Sequence, residues 1–237
     1  MRKGIWSLVF VSGVLMVLLS GAGSAEEPGK DWSQEGPSPA CTLESRGRNP
    51  LFILEPGYRL ILEGKEGKDL IQLVITVTNQ TRKIGNIECR MVEERETANG
   101  ELREMSRNYY AFCPRTRAVY YFGEEVDLYR KGKVTGHEGS WLADFAGAKA
   151  GLMMPGDPRA GDRYYEEQAP KVAMDRAEVK SLAESLETRA GKFSACLLIE
   201  ETTPLEPKSR EYKTYAPGVG MVRDGDLYLI KYKYVVL

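Results

Sequence analysis

The chain has 237 residues, with 33 Lys and Arg against 34 Asp and Glu and a formal net charge of −1 at pH 7. That balance offers no basic surface to nucleic acid or to an anionic membrane. A length of this order suits one compact domain.

The N-terminus predicts an export signal over residues 1–25. Arg2 and Lys3 precede an apolar stretch from Leu8 to Leu19, and Gly23-Ser24-Ala25 places small side chains where a signal peptidase needs them. The apolar run is shorter than the roughly 20 residues of a membrane span. Cys41 lies too far beyond it to accept a lipid. Loss of Arg2 and Lys3 with the signal takes the net charge to about −3. The mature chain is expected free in the periplasm or outside the cell, with no membrane insertion after signal cleavage. All four cysteines, Cys41, Cys89, Cys113 and Cys196, remain in it. An even set in an exported chain reads as two disulfides, with free buried thiols as the alternative. No C-x-x-C knuckle supports zinc.

Residues 26–48 are rich in Pro, Gly, Ser and charge and read as a flexible tail. A single β domain is expected over 49–237. Tyr58 to Glu63 and the β-branched run within Leu70 to Thr78 read as strands around a Gly64–Gly67 turn. Asn99-Gly100 joins two charged arms, Ile87 to Thr97 and Glu101 to Phe112, in a predicted type I′ hairpin. Short strands follow at 119–122, 126–129 and 133–135, with Gly123 and Lys131-Gly132 as breaks.

From Gly136 to Gly161 the text turns to Gly, Ala and Pro around Trp141, Phe145, Met153 and Met154. This reads as a long connection, or a flap over one end of the sheet. Arg163 to Gln168 resumes strand. Val172 to Leu186 fits either a helical face or a strand from the residues alone. Ala195 to Glu201, Glu211 to Tyr215 and Leu227 to Val236 are strands, the last entered through a tight turn at Asp224-Gly225, and its Tyr228, Ile230, Tyr232 and Tyr234 are expected to face the core. The fold class is all-β, an antiparallel meander curled into a barrel or half-barrel, with a two-sheet sandwich as runner-up.

Several phrases resemble a family of exported, β-rich bacterial proteins of unknown function. They are Asn49-Pro50 with Leu54-Glu55-Pro56-Gly57, Val92-Glu93-Glu94-Arg95-Glu96, Tyr120-Tyr121-Phe122-Gly123-Glu124, Ala173-Met174-Asp175-Arg176-Ala177-Glu178, Thr203-Pro204-Leu205-Glu206-Pro207 and Tyr215-Ala216-Pro217-Gly218-Val219-Gly220. The resemblance covers nearly the whole mature chain. It implies strands in 172–200 around Gly191-Lys192-Phe193, and cysteine at the positions of Cys113 and Cys196. It implies no activity, cofactor or catalytic residue.

Chemical signatures are sparse. His137 is the single histidine, so any nucleophile–imidazole site would have to use it, and no Gly-x-Ser-x-Gly elbow accompanies it. The acidic groups Asp157, Asp162, Glu166 and Glu167, and separately Asp175 and Glu178, read as solvated surface. No catalytic residue, metal ligand or cofactor motif emerges. Thirteen tyrosines suit core packing, or a groove for an apolar or amphipathic ligand. The groove reading nominates Trp141, Met153, Met154, Tyr164 and Tyr165. The sequence favours a binding or interaction module over an enzyme. Its alternatives are an envelope scaffold that binds another protein and a carboxylate-dependent hydrolase.

Overall fold

The computed structural model describes residues 31–237, so the predicted signal at 1–25 and residues 26–30 lie outside the described residues. The first strands are β1 (Gly47–Asn49), β2 (Phe52–Leu54), β3 (Tyr58–Glu66), β4 (Asp69–Ile84), β5 (Ile87–Ala98) and β6 (Glu101–Phe112). Next come β7 (Val119–Arg130), β8 (Lys133–Gly136), β9 (Trp141–Leu142), β10 (Lys149–Met154), β11 (Arg163–Tyr165) and β12 (Glu167–Gln168). The last are β13 (Arg176–Thr188), β14 (Gly191–Thr203), β15 (Glu206–Ala216), β16 (Gly220–Asp224) and β17 (Leu227–Tyr234). No helix occurs among the described residues.

Thirteen strands follow one another in one antiparallel sheet, in the order β11-β13-β14-β15-β16-β17-β3-β4-β5-β6-β7-β10-β12. Its two ends, β11 and β12, are consecutive in the chain and separated by Glu166 alone. The sheet therefore curls into a nearly closed barrel, the meander expected from the hairpin-rich sequence. At Asn99-Gly100 the φ angles are 50° and 84°, the left-handed pair that a type I′ turn requires.

The 172–186 segment forms β13, paired along its length with β14. Val179 and Leu186, which fit the helical reading, pair instead with Ile199 and Phe193 across the strands, and Ala177 and Val179 are buried. The expected long connection at 136–161 is corrected. It contributes β9 and, more importantly, β10, which stands in the barrel wall between β7 and β12. Small residues hid this strand, because Gly and Ala weaken a β signal. They are also what the position demands. A Cβ on Gly151 would lie 2.1 Å from the Glu166 carbonyl oxygen and 2.8 Å from that of Tyr165.

Two further expectations change. In β17 it is Leu227 and Leu229 that point inward, while Tyr228, Tyr232 and Tyr234 are exposed. Tyr228 is out of phase with buried Leu229. Past a bulge between Leu229 and Lys231, Tyr232 and Tyr234 come opposite Leu60 and Tyr58 and so share the inward face, yet they remain exposed near the end of the strand. The described part of the 26–48 tail lies along the barrel rather than free. Cys41 is bridged to Cys113, Ser33 pairs with Tyr164, and the guanidinium groups of Arg163 and Arg176 lie over the Trp32 ring at 5.3 and 4.3 Å. That bridge is the one disulfide among the described residues. Cys89 and Cys196 are free and buried, so the expected second pair is not made.

Gly151 generates a direct test of the seam. Gly151→Ala should lower stability by about 1–3 kcal/mol, the usual range for forcing a methyl into filled space. The urea midpoint should fall, with far-ultraviolet circular dichroism still reporting strand. A midpoint equal to wild type would show that β10 and the Glu166 segment do not pack this closely.

Candidate functional site in the barrel lumen

The inward face of the barrel is divided in two. On the central strands it is hydrocarbon: Leu60 and Leu62 of β3, then Leu73, Ile75 and Val77 of β4, are buried in register with one another. The seam between β11 and β12 lies at the opposite end of the strand order, so it closes the barrel across from these strands. There, and on the neighbouring β14 to β16, ionisable side chains join buried Leu197, Ile199 and Val222 on the inside. Glu166, Glu167, Asp175, Glu201, Lys213 and Asp224 are all buried.

Between the two walls is a cavity of about 80 Å³. Its hydrocarbon side includes Leu60, Ile75, Val77 and Val92, and Leu51 to Ile53 close it from the β1–β2 hairpin. Its polar side carries six carboxyl groups, from Glu94, Glu166, Glu167, Asp175, Glu201 and Asp224, against the single ammonium of Lys213. Four tyrosines, Tyr58, Tyr110, Tyr121 and Tyr215, also line it. Tyr110 and Tyr121 stack at 4.7 Å, Phe52 packs edge-on to Tyr110 at 5.1 Å, and Trp141 packs edge-on to Tyr121 at 5.3 Å. The Tyr121 hydroxyl donates to Asn108 Oδ1.

Lys213 Nζ is 2.8 Å from Glu201 and 3.9 Å from Asp224. Burial alone would lower its pKa, but Glu201 and Asp224 override it and hold the ammonium well above its usual range. One cation cannot serve every acid. Burial pushes Glu94 up to about 8, Asp175 up to about 8 and Glu211 up to about 9. It drives Glu124, Glu166 and Glu167 well above the ordinary carboxyl range, with neighbouring carboxylates adding to the rise. After burial, the Glu201 carboxylate is the largest contributor to the rise at Glu166. Glu166 Oε1, Glu167 Oε2, Glu201 Oε1 and Asp224 Oδ1 have no protein donor within hydrogen-bond distance, and the Tyr215 hydroxyl has no partner.

Of the residues nominated from sequence, Met153 lines this cavity. Trp141 backs the Tyr121 ring, Met154 is fully buried, and Tyr164 lies beside the acids at the seam. Tyr165 packs against Trp32, with ring centroids 6.4 Å apart. The surface reading of the acidic groups is corrected in part. Glu166, Glu167 and Asp175 are inside the barrel, whereas Asp157 is exposed and Glu178 is engaged by Arg163 and Lys180. His137 is on the outside, 3.0 Å from Asp127. Sequence reasoning missed Glu94, Glu201, Lys213 and Asp224. The signal lay in phase: Glu94 follows buried Val92 by two residues, and Lys213 precedes buried Tyr215 by two.

No group of three or more His, Cys, Asp or Glu is placed to hold a metal among the described residues. No helix among them is long and apolar enough to cross a membrane. No family model, curated protein or solved structure matches the chain.

The raised carboxyl values set a pH dependence with a definite sign. The unfolded chain loses these protons near pH 4–4.5, while the folded chain keeps them to about pH 8 at Glu94 and Asp175 and to about pH 9 at Glu211. The folded state therefore binds more protons throughout that window, and stability falls as pH rises through it. The acids whose values are lowered, such as Glu55 and Glu178, stay ionised in both states above pH 5 and do not oppose the trend. Urea midpoints should drop between pH 5 and pH 9 by a free energy on the order of several kcal/mol. A flat or rising profile would mean that the lumen acids are ionised and hydrated.

Proposed function

We propose that this protein is an exported binding module whose lumen takes an amphipathic ligand. The observation that carries the reading is the divided cavity, with hydrocarbon from β3 to β5 on one side and orphaned polar groups from the seam and β14 to β16 on the other. Ligand sites pair a mostly apolar lining with a few convergent polar groups, and the mouths and interiors of barrels are places where they form. Export is supported by the Cys41–Cys113 bridge, which suits an oxidising compartment, and by the signal pattern of the N-terminus.

A carboxylate hydrolase draws less support from the same acids. The acids crowd a cavity of about 80 Å³, which leaves little room for a glycosidic bond between two of them. The scaffold alternative draws on a different feature, the exposed Tyr232 and Tyr234 near the C-terminal end of β17.

A native mass spectrum of the mature protein, purified from an exporting host, tests the binding reading. The expected result is extra mass that is lost on denaturation. Ile75→Phe, which fills the hydrocarbon side of the cavity, should reduce the loaded fraction about ten-fold. A bare mass that stays bare after incubation with a lipid extract of the host overturns the reading.

A further inference from the structure

The chemistry of the polar wall narrows the ligand. Most buried polar groups in proteins have partners, yet four carboxyl oxygens around this cavity have no protein donor. The side chains that carry them are deeply buried, with Glu166 and Glu201 each 4% exposed, Asp224 5% and Glu167 6%. All four residues line the cavity. The wall is thus crowded with acidic groups whose one cation, Lys213, is already engaged by Glu201. An anionic head would face six acids across a low-dielectric space. A sugar would bring as many acceptors as donors, which the wall matches poorly.

We infer that the lumen is a receptor for a primary ammonium group, borne on a short hydrocarbon stem that lies against Leu60, Ile75, Val77 and Val92. An ammonium supplies three donors and one positive charge. It would answer the orphaned oxygens of Glu166, Glu167 and Glu201 and the charge imbalance together. The tyrosine rings of Tyr110, Tyr121 and Tyr215 add faces that attract a cation. A cavity of about 80 Å³ holds a head group and the start of a stem rather than a long acyl chain. Asp224 also belongs to the lining of a second hollow, of about 560 Å³, together with Glu66, Glu96, Glu211 and Asp226. Lys65, Lys208, Arg210 and Arg223 share that rim, so its charge is mixed, unlike that of the lumen. The high carboxyl values agree with this arrangement, because an acid held protonated for want of a counter-charge is ready to ionise when one enters.

The inference rests on the amphipathic-ligand reading and deepens it, and three probes of one chain length separate the two. Titration calorimetry at pH 7.5 would compare octylamine, octyltrimethylammonium and octanol. Octylamine should bind at least ten-fold more tightly than either of the others, because the quaternary head has charge without donors and the alcohol has a donor without charge. Glu166→Gln and Glu201→Gln should each remove most of that preference while leaving octanol binding within about two-fold. Glu166→Gln leaves the Lys213 pair in place, so it remains informative if Glu201→Gln does not fold. Equal binding of all three probes would overturn the ammonium inference and leave the amphipathic reading standing. Equal or tighter binding of the quaternary probe would overturn the role of the orphaned acceptors. Octylamine binding that Glu166→Gln does not weaken would place the amine elsewhere and overturn it as well. No binding by any probe would remove both readings.

Discussion

Everything inside this protein depends on the way the barrel closes. A curled antiparallel sheet must do something with its two edges, and here the first and last strands in the order, β11 and β12, are joined through Glu166. The chain crosses from one edge of the sheet to the other within a single residue. That crossing is possible because β10 presents Gly151 to it, and a side chain there would collide with the Tyr165 and Glu166 carbonyls. Backbone bonds from Glu166 and Glu167 to the Asp175 carbonyl, at 2.8 and 3.1 Å, tie the crossing down. The closure brings Glu166 and Glu167 into the interior, where an ordinary edge would have left them in water.

From that closure follows an interior of two chemistries. The strands most distant from the seam in the sheet order carry mainly Leu, Ile and Val inward, with Glu94 of β5 the exception. The strands nearer it add acids beside their own buried Leu197, Ile199 and Val222. Burying several carboxyls around one lysine does not favour folding. Desolvating an ion in a protein interior costs several kcal/mol, and a single pair such as Lys213–Glu201 roughly recovers its own cost. The remaining acids are accommodated by keeping their protons. Hydrocarbon of the same volume would be the more stable filling, so stability does not explain the set. A concentration of perturbed acids around a cavity is instead the arrangement found where a protein binds or reacts with something.

Much of the wall was legible in sequence, and much of the site was not. Asn99-Gly100 announced its turn because few other dipeptides tolerate two left-handed residues. The long β-branched run in β4 announced a strand because it is buried on one face along much of its length. β10 was hidden because the glycine that the seam needs is the residue that weakens a strand signal. In β17 Tyr228 is out of phase with buried Leu227 and Leu229. Tyr232 and Tyr234, which a bulge brings opposite Leu60 and Tyr58, stay exposed near the strand's end, where alternation alone does not fix burial. The acids of the lumen were assigned to the surface for a simple reason: a charged residue in a strand normally marks the solvent face. Glu94 and Lys213 break that rule because their strands face a polar cavity rather than a solid core. Their phase with Val92 and Tyr215 was the available clue.

The end of the cavity closed by β2 shows why the N-terminal segment is fastened so firmly. Leu51, Phe52 and Ile53 line the cavity, yet β2 pairs only with β1 and takes no place in the barrel sheet. A cover held by hydrophobic contact alone would open easily, since so small an area contributes only about 25 cal/mol per Å² buried. Buried Asn49 supplies the missing rigidity. Its amide nitrogen donates to the carbonyls of Arg117 and Pro155 at 2.8 and 2.9 Å, and its oxygen accepts from the Leu51 N–H at 2.7 Å. The Gly218 N–H bonds to the Pro50 carbonyl at 2.7 Å, and Cys41–Cys113 anchors the segment just before the hairpin. With the hairpin held in place over Leu51 to Ile53, the residue the lumen shares with the second hollow is Asp224 of its polar wall, so the acids and not the hydrocarbon stand on the side nearest that hollow.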